Sequence, residues 1–150
     1  MTTESPRVQP AVGTSGGAPD AERPGPRVLL VDDNDELRAT LAASLSEEGV
    51  DVTATGDAAD ARELVLVMDF DAVVIDLVMP GTHGMALLAE IRNSERGQGL
   101  PAVVLSALPH GDMRQHARQL VGKLKRATFL DKPASPRRIL AALGQVLVAS

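Results

Sequence analysis

Short apolar runs alternate with amphipathic stretches along most of this chain. The runs are rich in Val, Leu and Ile, which is typical of strands covered on both faces of a sheet. They predict five strands, at residues 28–31, 50–54, 72–76, 102–105 and 128–130. After the first run, Leu37, Leu41 and Leu45 recur at helical spacing, and similar spacing follows each later run. We therefore expect a helix after every strand.

Glycine, serine and proline mark the expected helix ends. Gly49 follows the first helix and Gly97 and Gly99 follow the third, while Ser135 and Pro136 stand at the start of the last. The second and fourth helices should carry apolar residues at Ala61, Leu64, Val65 and Met68, and at Met113, Ala117, Leu120, Val121 and Leu124. Five strands alternating with five helices predict an α/β fold with a five-stranded parallel sheet.

The periodic pattern begins only at about residue 27. Residues 1–26 contain five prolines and four glycines and no apolar periodicity, which predicts a disordered Pro/Gly-rich tail. Residues 27–150 are then expected to form one domain. Hydrophobic residues make up 44% of the chain, enough for a core, but two phenylalanines are its only aromatic residues.

Composition excludes several classes of protein. The chain has no cysteine, which excludes disulfides and thiolate metal sites. No apolar run is long enough for a membrane span, and no signal-peptide pattern opens the chain. We expect a soluble cytoplasmic protein with no membrane partner.

Charge is divided unevenly along the chain, whose net charge is −5. Residues 32–78 hold 13 acidic residues and two arginines, whereas residues 106–150 hold eight basic residues and two aspartates. An acidic half and a basic half favour partners that bind in a defined orientation. The basic half has almost no aromatic residues to stack on bases, which argues against direct binding of nucleic acid.

Charged side chains follow three of the predicted strands. Asp32 and Asp33 follow the first, Asp76 ends the third and Lys132 follows the fifth. The carboxyl ends of parallel strands share one edge of a sheet, and ligands bind there in open α/β folds. Three carboxylates and an ammonium at one edge suit a hard divalent cation and a phosphoryl group.

These residues, with Ser106 after the fourth strand and Pro133 after Lys132, resemble the receiver domain of two-component response regulators. The resemblance covers about residues 27–148. It implies a flavodoxin-like receiver fold, with five helices around a parallel sheet of strand order 2-1-3-4-5, and Mg²⁺ as cofactor. No glycine-rich loop follows the first strand, which disfavours a dinucleotide site.

The resemblance also implies a role for each charged residue. Asp33, Asp76 and the backbone carbonyl of Val78 are the expected direct Mg²⁺ ligands, and Asp32 is expected to act through a bound water. Asp76 is the expected phosphoacceptor, and Lys132 is expected to neutralise the phosphoryl oxygens. Alternatively, Asp32 and Asp33 could only cap the first helix, and Lys132 could be a solvated loop residue.

Two further residues match the positions that report phosphorylation in the family. The Ser106 hydroxyl is expected to bind a phosphoryl oxygen, and Phe129 is expected to move with it, although Phe129 could be a core residue only. The helix after Ser106 is basic, and we expect Arg114 and Arg118 to lie on a face that docks an acidic partner. A solvated helix face is the alternative.

The apolar residues Val78 and Leu108 stand where the family tunes hydrolysis of the phosphoryl group. Neither side chain can orient water, so we expect a long-lived phosphoryl group. The histidines at 83, 110 and 116 lack metal-ligand spacing and are expected at the surface.

The resemblance implies a single-domain response regulator rather than an enzyme. Its expected partners are a sensor histidine kinase or phosphotransfer protein and a downstream protein effector. A phosphorelay intermediate and a receiver-like scaffold that works without phosphorylation are the alternatives. An aspartate-based phosphatase is disfavoured because its nucleophile would lie on the first strand with a second aspartate two residues later, where this chain has Asn34.

Overall fold

The fold is described from a computed structural model, which describes residues 25–79 and 81–148. The first 24 residues, and with them most of the predicted tail at 1–26, lie outside the described part. The strands are β1 (Arg27–Val31), β2 (Asp51–Thr55), β3 (Ala72–Asp76), β4 (Val78–Met79), β5 (Thr82–His83), β6 (Ala102–Ser106) and β7 (Ala127–Asp131). The helices are α1 (Asp35–Glu47), α2 (Ala58–Val67), α3 (Gly84–Asn93), α4 (Asp112–Gly122) and α5 (Pro136–Val148).

Five strands form one parallel sheet in the order β2-β1-β3-β6-β7. Counted without the short β4 and β5, this is the expected order 2-1-3-4-5. The order changes direction between β1 and β3, because β2 lies outside β1 and β6 lies on the other side of β3. Such a switch point opens a crevice at the carboxyl ends of the two central strands.

Helices cover both faces of the sheet. One core cluster joins the sheet to α2, α3 and α4, and the other joins it to α1 and α5. The central strands β3 and β6 are buried along their whole length, because alternate side chains face opposite helix layers. This burial confirms the expectation from their continuous apolar runs.

Local polar groups fix several helix ends. The Asn34 side chain accepts a hydrogen bond from the Leu37 amide at 2.9 Å and caps α1. At the other end of α1, Gly49 has φ +95°, a conformation that glycine adopts without strain. The Ser135 hydroxyl accepts from the Arg138 amide, which confirms it as the cap before Pro136.

None of the helices in the described ranges is both long enough and apolar enough to cross a membrane.

The structure corrects some predicted boundaries. β2 is shifted by one residue from the predicted 50–54, and α2 ends before Met68. α4 ends before Leu124, which still packs on the same core cluster from the following turn. Apolar spacing marks contact with the core, and a turn after a helix makes that contact equally well.

A short hairpin that the sequence did not predict follows Asp76. β4 and β5 pair in antiparallel fashion, with Val78 opposite His83 and Met79 opposite Thr82. Gly81 in the connecting turn has φ +73°. Two-residue strands carry too little alternation to be recognised from sequence.

Candidate functional site

Two adjacent aspartates lie at the carboxyl end of β1. The Asp32 side chain is fully buried, while Asp33 is exposed, as the alternation of side chains along an extended chain requires. One oxygen of Asp32, Oδ1, accepts a hydrogen bond from the Asn34 amide at 2.9 Å. The other oxygen, Oδ2, faces the crevice, where it accepts from Lys132.

The backbone of Asp32 is held from two sides. Its amide donates to the Thr55 carbonyl at 3.1 Å, and its carbonyl accepts from Arg38 Nη1 at 2.8 Å. Arg38 also pairs with Asp35 on its own helix. The buried carboxylate is therefore fixed by neighbours in β2 and α1.

Asp76 ends β3 and is only 3% exposed. Its Oδ1 accepts from the Val78 amide at 3.3 Å. Gly84, the first residue of α3, approaches so closely that a Cβ there would lie 2.2 Å from the Asp76 carbonyl oxygen. A glycine is therefore required for α3 to begin against the strand that carries Asp76.

Lys132 directly follows the edge strand β7, and its side chain reaches into the crevice. Its Nζ lies 3.2 Å from Asp32 Oδ2 and 3.2 Å from Asp76 Oδ2. The side chain is 16% exposed, so both ion pairs are shielded from water. The peptide bond that follows, Lys132–Pro133, is cis.

Three carboxylates form a cluster that fits a hard divalent cation. One oxygen from each of Asp32, Asp33 and Asp76 lies within 4.8 Å of the other two. Lys132 compensates only part of their negative charge. Oxygen ligands and residual negative charge are what Mg²⁺ requires, and it takes few carboxylates and several waters.

Burial and charge shift the acidities in the crevice. Burial raises the pKa of Asp76, with the Lys132 ammonium opposing this effect and the Asp32 carboxylate adding to it. For Lys132, burial acts to lower the pKa, but Asp32 and Asp76 together outweigh it, so the pKa is raised. Lys132 faces two carboxylates whereas Asp76 faces one ammonium, which explains why attraction prevails over burial for Lys132 alone.

Ser106 lies beside this cluster, at the carboxyl end of β6. It is 1% exposed, and its hydroxyl oxygen accepts from the Leu108 amide at 3.1 Å. Its carbonyl accepts from the Lys132 amide at 2.7 Å. Ser106 is therefore joined through the backbone to the residue that contacts Asp32 and Asp76.

The remaining residues singled out from the sequence lie outside the charged cluster. Val78 is exposed, directly after the strand of Asp76. Phe129 lies half-buried in β7 and packs on the core, and the Arg118 guanidinium lies 4.8 Å above the centre of its ring. His83 caps α3, with its Nδ1 accepting from the Met85 amide.

The other two histidines, His110 and His116, are exposed, as expected. Arg114 and Arg118 lie on α4, but both pair with Asp131. Their charges thus have a partner within the molecule, which the sequence did not indicate.

Sequence reasoning missed two residues. Arg38 was recognised only as a positive charge in an acidic stretch, and its bond to the Asp32 carbonyl depends on the pairing of helix and strand. Asp131 directly precedes Lys132, and that position was the available signal.

Comparison with known proteins adds an independent result. Residues 28–144 match the family profile described as "Response regulator receiver domain". Protein PetR of Rhodobacter capsulatus is 32% identical over 122 residues, which cover 81% of this chain and 48% of PetR. The transcriptional regulatory protein FixJ of Azorhizobium caulinodans is 34% identical over 116 residues, covering 77% and 52%. The chain spans about half the length of these curated relatives.

Solved structures have the same fold. The chemotaxis response regulator CheY4 of Vibrio cholerae superposes with a TM-score of 0.69 at 25% identity, covering 81% of this chain and 98% of that one. The receiver domain of sensor histidine kinase PA1611 from Pseudomonas aeruginosa gives a TM-score of 0.71 at 26% identity, covering 82% and 98%. That structure is described with a magnesium ion coordinated in its active-site cleft.

The profile match covers most of the chain, and the sheet order and charged crevice agree with it. This chain belongs to the family of response regulator receiver domains, the receivers of two-component signal transduction.

Proposed function

We propose that this protein is a phosphorylation switch. It accepts a phosphoryl group on Asp76 from a histidine kinase or a phosphotransfer protein, in a Mg²⁺-dependent reaction. It then changes the surface formed by α4, β7 and α5 to control a protein partner. The observation that carries the proposal is the Lys132 ammonium, 3.2 Å from both Asp32 and Asp76, beside the carboxylate cluster.

Asp33 and Asp76, with the backbone carbonyl of Val78, would hold Mg²⁺, and Asp32 would reach it through a water. When bound, Mg²⁺ supplies positive charge next to the phosphoryl oxygens. The crevice contributes an exposed carboxylate at Asp33 and two buried ones. The exposed residue leaves room for the waters that Mg²⁺ retains.

In the reaction, a carboxylate oxygen of Asp76 attacks the phosphorus atom of a phosphohistidine. A P–O bond forms while the P–N bond breaks, and the departing imidazole keeps the electron pair of that bond. Lys132 places its positive charge against the phosphoryl oxygens in the product. Phosphoryl transfer of this kind depends on position and charge more than on covalent help from the protein.

Ser106 reads the product. In the unphosphorylated protein its hydroxyl oxygen accepts from the Leu108 amide, and its proton is available to a phosphoryl oxygen on Asp76. Turning towards that oxygen draws in the loop between β6 and α4. Phe129 lies on the neighbouring strand, opposite Val104, and is the proposed second part of the switch.

The protein is also proposed to signal by contact with other proteins, without an enzymatic or nucleic-acid-binding activity of its own. The protein is proposed to be cytoplasmic and to work as a single domain formed by residues 27–150, preceded by the tail at 1–26. The intact mass of the protein isolated from its own cells tests the single-domain part. A mass near 15.7 kDa supports it, whereas a larger chain would make this sequence part of a longer regulator.

The central step is tested by incubating the purified protein with Mg²⁺ and phosphoramidate and measuring its intact mass. We expect one added phosphoryl group in the unaltered protein and none in Asp76→Asn. Asp69→Asn is the matched control. Exposed Asp69 precedes β3, at the amino ends of the strands and away from the crevice, and it pairs with Arg96. Failure of all three proteins to react, with phosphoramidate and with acetyl phosphate, would instead favour a scaffold that works without phosphorylation.

A further inference from the structure

An ion-pair cluster ties α4 to the carboxyl end of β7. Arg114 Nε donates to Asp131 Oδ1 at 2.7 Å, and Arg114 Nη2 donates to Asp131 Oδ2. Arg118 Nη2 donates to the same Oδ2 at 3.3 Å. We call Arg114, Arg118 and Asp131 the α4 latch. Two-point Arg–carboxylate pairing is among the stronger polar contacts in proteins.

The latch is partly shielded from water. The Arg114 side chain is 15% exposed and that of Asp131 is 38% exposed. The hydrogen bond from Arg114, with burial opposing and charge assisting it, holds the pKa of Asp131 below its usual range. The pair is therefore charged on both sides at neutral pH.

The latch also covers the expected switch aromatic. The Arg118 guanidinium lies over the ring of Phe129 at 4.8 Å from its centre, within the range of a cation–π contact. Arg118 therefore contacts both Asp131 and the ring of Phe129. Movement of α4 away from β7 would break both contacts together.

The latch is next to the residues that would respond to phosphorylation. Asp131 is opposite Ser106 in the pairing of β6 and β7, and it is followed directly by Lys132. At the start of the loop from Ser106 to α4, the Leu108 amide donates a hydrogen bond to the Ser106 hydroxyl oxygen. At its other end, His110 Nδ1 lies 3.2 Å from Arg114 Nη1.

We propose that the α4 latch holds the unphosphorylated conformation of α4 and Phe129, and that phosphorylation has to open it. The inference rests on the proposed function of Asp76. When Ser106 turns towards a phosphoryl group, the loop at 107–111 moves, and this loop joins Ser106 directly to the start of α4. The start of α4 cannot follow the loop while Arg114 remains bonded to Asp131.

Coupling of this kind is reciprocal. If phosphorylation opens the latch, then removing the latch raises the population of the open conformation, in which the loop of Ser106 is free to meet the incoming phosphoryl group. Asp131→Asn and Arg114→Gln should therefore react faster with a small phosphoryl donor, although neither residue contacts Asp76. A partly exposed ion pair can account for an increase of about two- to fivefold.

The test compares phosphorylation rates with phosphoramidate and Mg²⁺ by intact mass. Asp131→Asn and the double variant should show the same increase, because Asp131→Asn already removes both contacts of the latch. Arg114→Gln should show an increase no larger than theirs, because Arg118 still donates to Asp131. The increase should be absent when Ser106→Ala is added, since Ser106 connects the site to the loop. Arg62→Gln is the matched control, because it breaks the exposed Arg62–Glu90 pair between α2 and α3 and should leave the rate unchanged.

The rate of amide hydrogen exchange at residues 107–122 in the unphosphorylated variants is the second measurement. Faster exchange together with the faster reaction is the expected result. Faster exchange with an unchanged rate would overturn the proposal and leave the pair with a packing role. A slower reaction would also overturn it. If the unaltered protein takes no phosphoryl group, the proposed function fails as well, whereas normal phosphorylation with no effect of the variants rejects the latch alone.

Discussion

Asp76 carries an energetic cost in the folded protein. It is almost fully buried, and burial raises its pKa although Lys132 opposes the effect. A carboxyl group whose pKa is higher in the folded state favours unfolding at every pH where it is ionised. The site is thus less stable by itself than with a cation, as expected for a residue placed for chemistry.

We predict that Asp76→Asn stabilises the protein without Mg²⁺ at neutral pH, by about 1 kcal/mol in the free energy of unfolding. The amide removes the charge that burial disfavours. The difference should shrink as the pH falls and vanish below about pH 3, where Asp76 is protonated in the folded and unfolded states alike. Urea unfolding at several pH values, with chelator present, measures it.

Mg²⁺ should reverse the order of stability. Binding to the folded state stabilises the unaltered protein, whereas Asp76→Asn lacks one proposed ligand and should gain less. An unaltered protein that is the more stable of the two without any metal would contradict this interpretation of the buried carboxylate.

Single residues were predictable where chain position alone determined their surroundings. Asp32, Asp76 and Lys132 each follow a recognisable strand, and parallel strands bring their ends together. The contacts of Arg118 with the Phe129 ring and with Asp131 were not predictable in this way. They depend on how α4 lies over β7, and the local sequence of these residues does not report that packing.

At the level of elements, two loops flank the proposed phosphoryl site. One follows β3 and includes Val78, which is 46% exposed. The other follows β6 and includes Leu108, which packs partly against the core. Neither apolar side chain can donate or accept a hydrogen bond to hold an attacking water.

We therefore predict a phosphoryl group that lasts for minutes or longer on the isolated protein. Val78→Gln should shorten this lifetime several-fold, because an amide can position water. Decay of the intact mass after removal of the donor measures it. Leu66→Gln, at a similarly exposed apolar residue of α2, is the control and should decay like the unaltered protein. A half-life of seconds in the unaltered protein would contradict the prediction.

The major elements were predictable because their apolar residues repeat with the period of the structure they form. All five long strands and five helices occur near their expected places. The errors are at ends, as with Leu124, and at the hairpin of β4 and β5. The first error arises because contact with the core continues beyond the end of the helix, and the second because two-residue strands carry too little alternation to be recognised.

At the scale of the whole molecule, the acidic helices α1 and α2 and the basic helix α4 lie towards different edges of the sheet, while α5 of the basic half packs beside α1. β2 is at one edge of the sheet and β7 at the other, so the acidic segment around α1 and α2 lies away from the basic segment around α4. The charged crevice lies between them, at the ends of β1 and β3. Lys132 of the basic half contacts Asp32 and Asp76 of the acidic half in that crevice, so the two kinds of charge meet where the phosphoryl group is proposed to bind.

The position of the phosphoryl group is the most direct test of the central claim. After reaction with phosphoramidate and Mg²⁺, borohydride reduces an acyl phosphate to an alcohol, which peptide mass spectrometry can locate. We predict homoserine at position 76 and at no other aspartate, with none formed when Mg²⁺ is removed by chelator. Homoserine at position 32 or 33, or equal formation of homoserine without the metal, would contradict the assignment of Asp76 as the Mg²⁺-dependent phosphoacceptor.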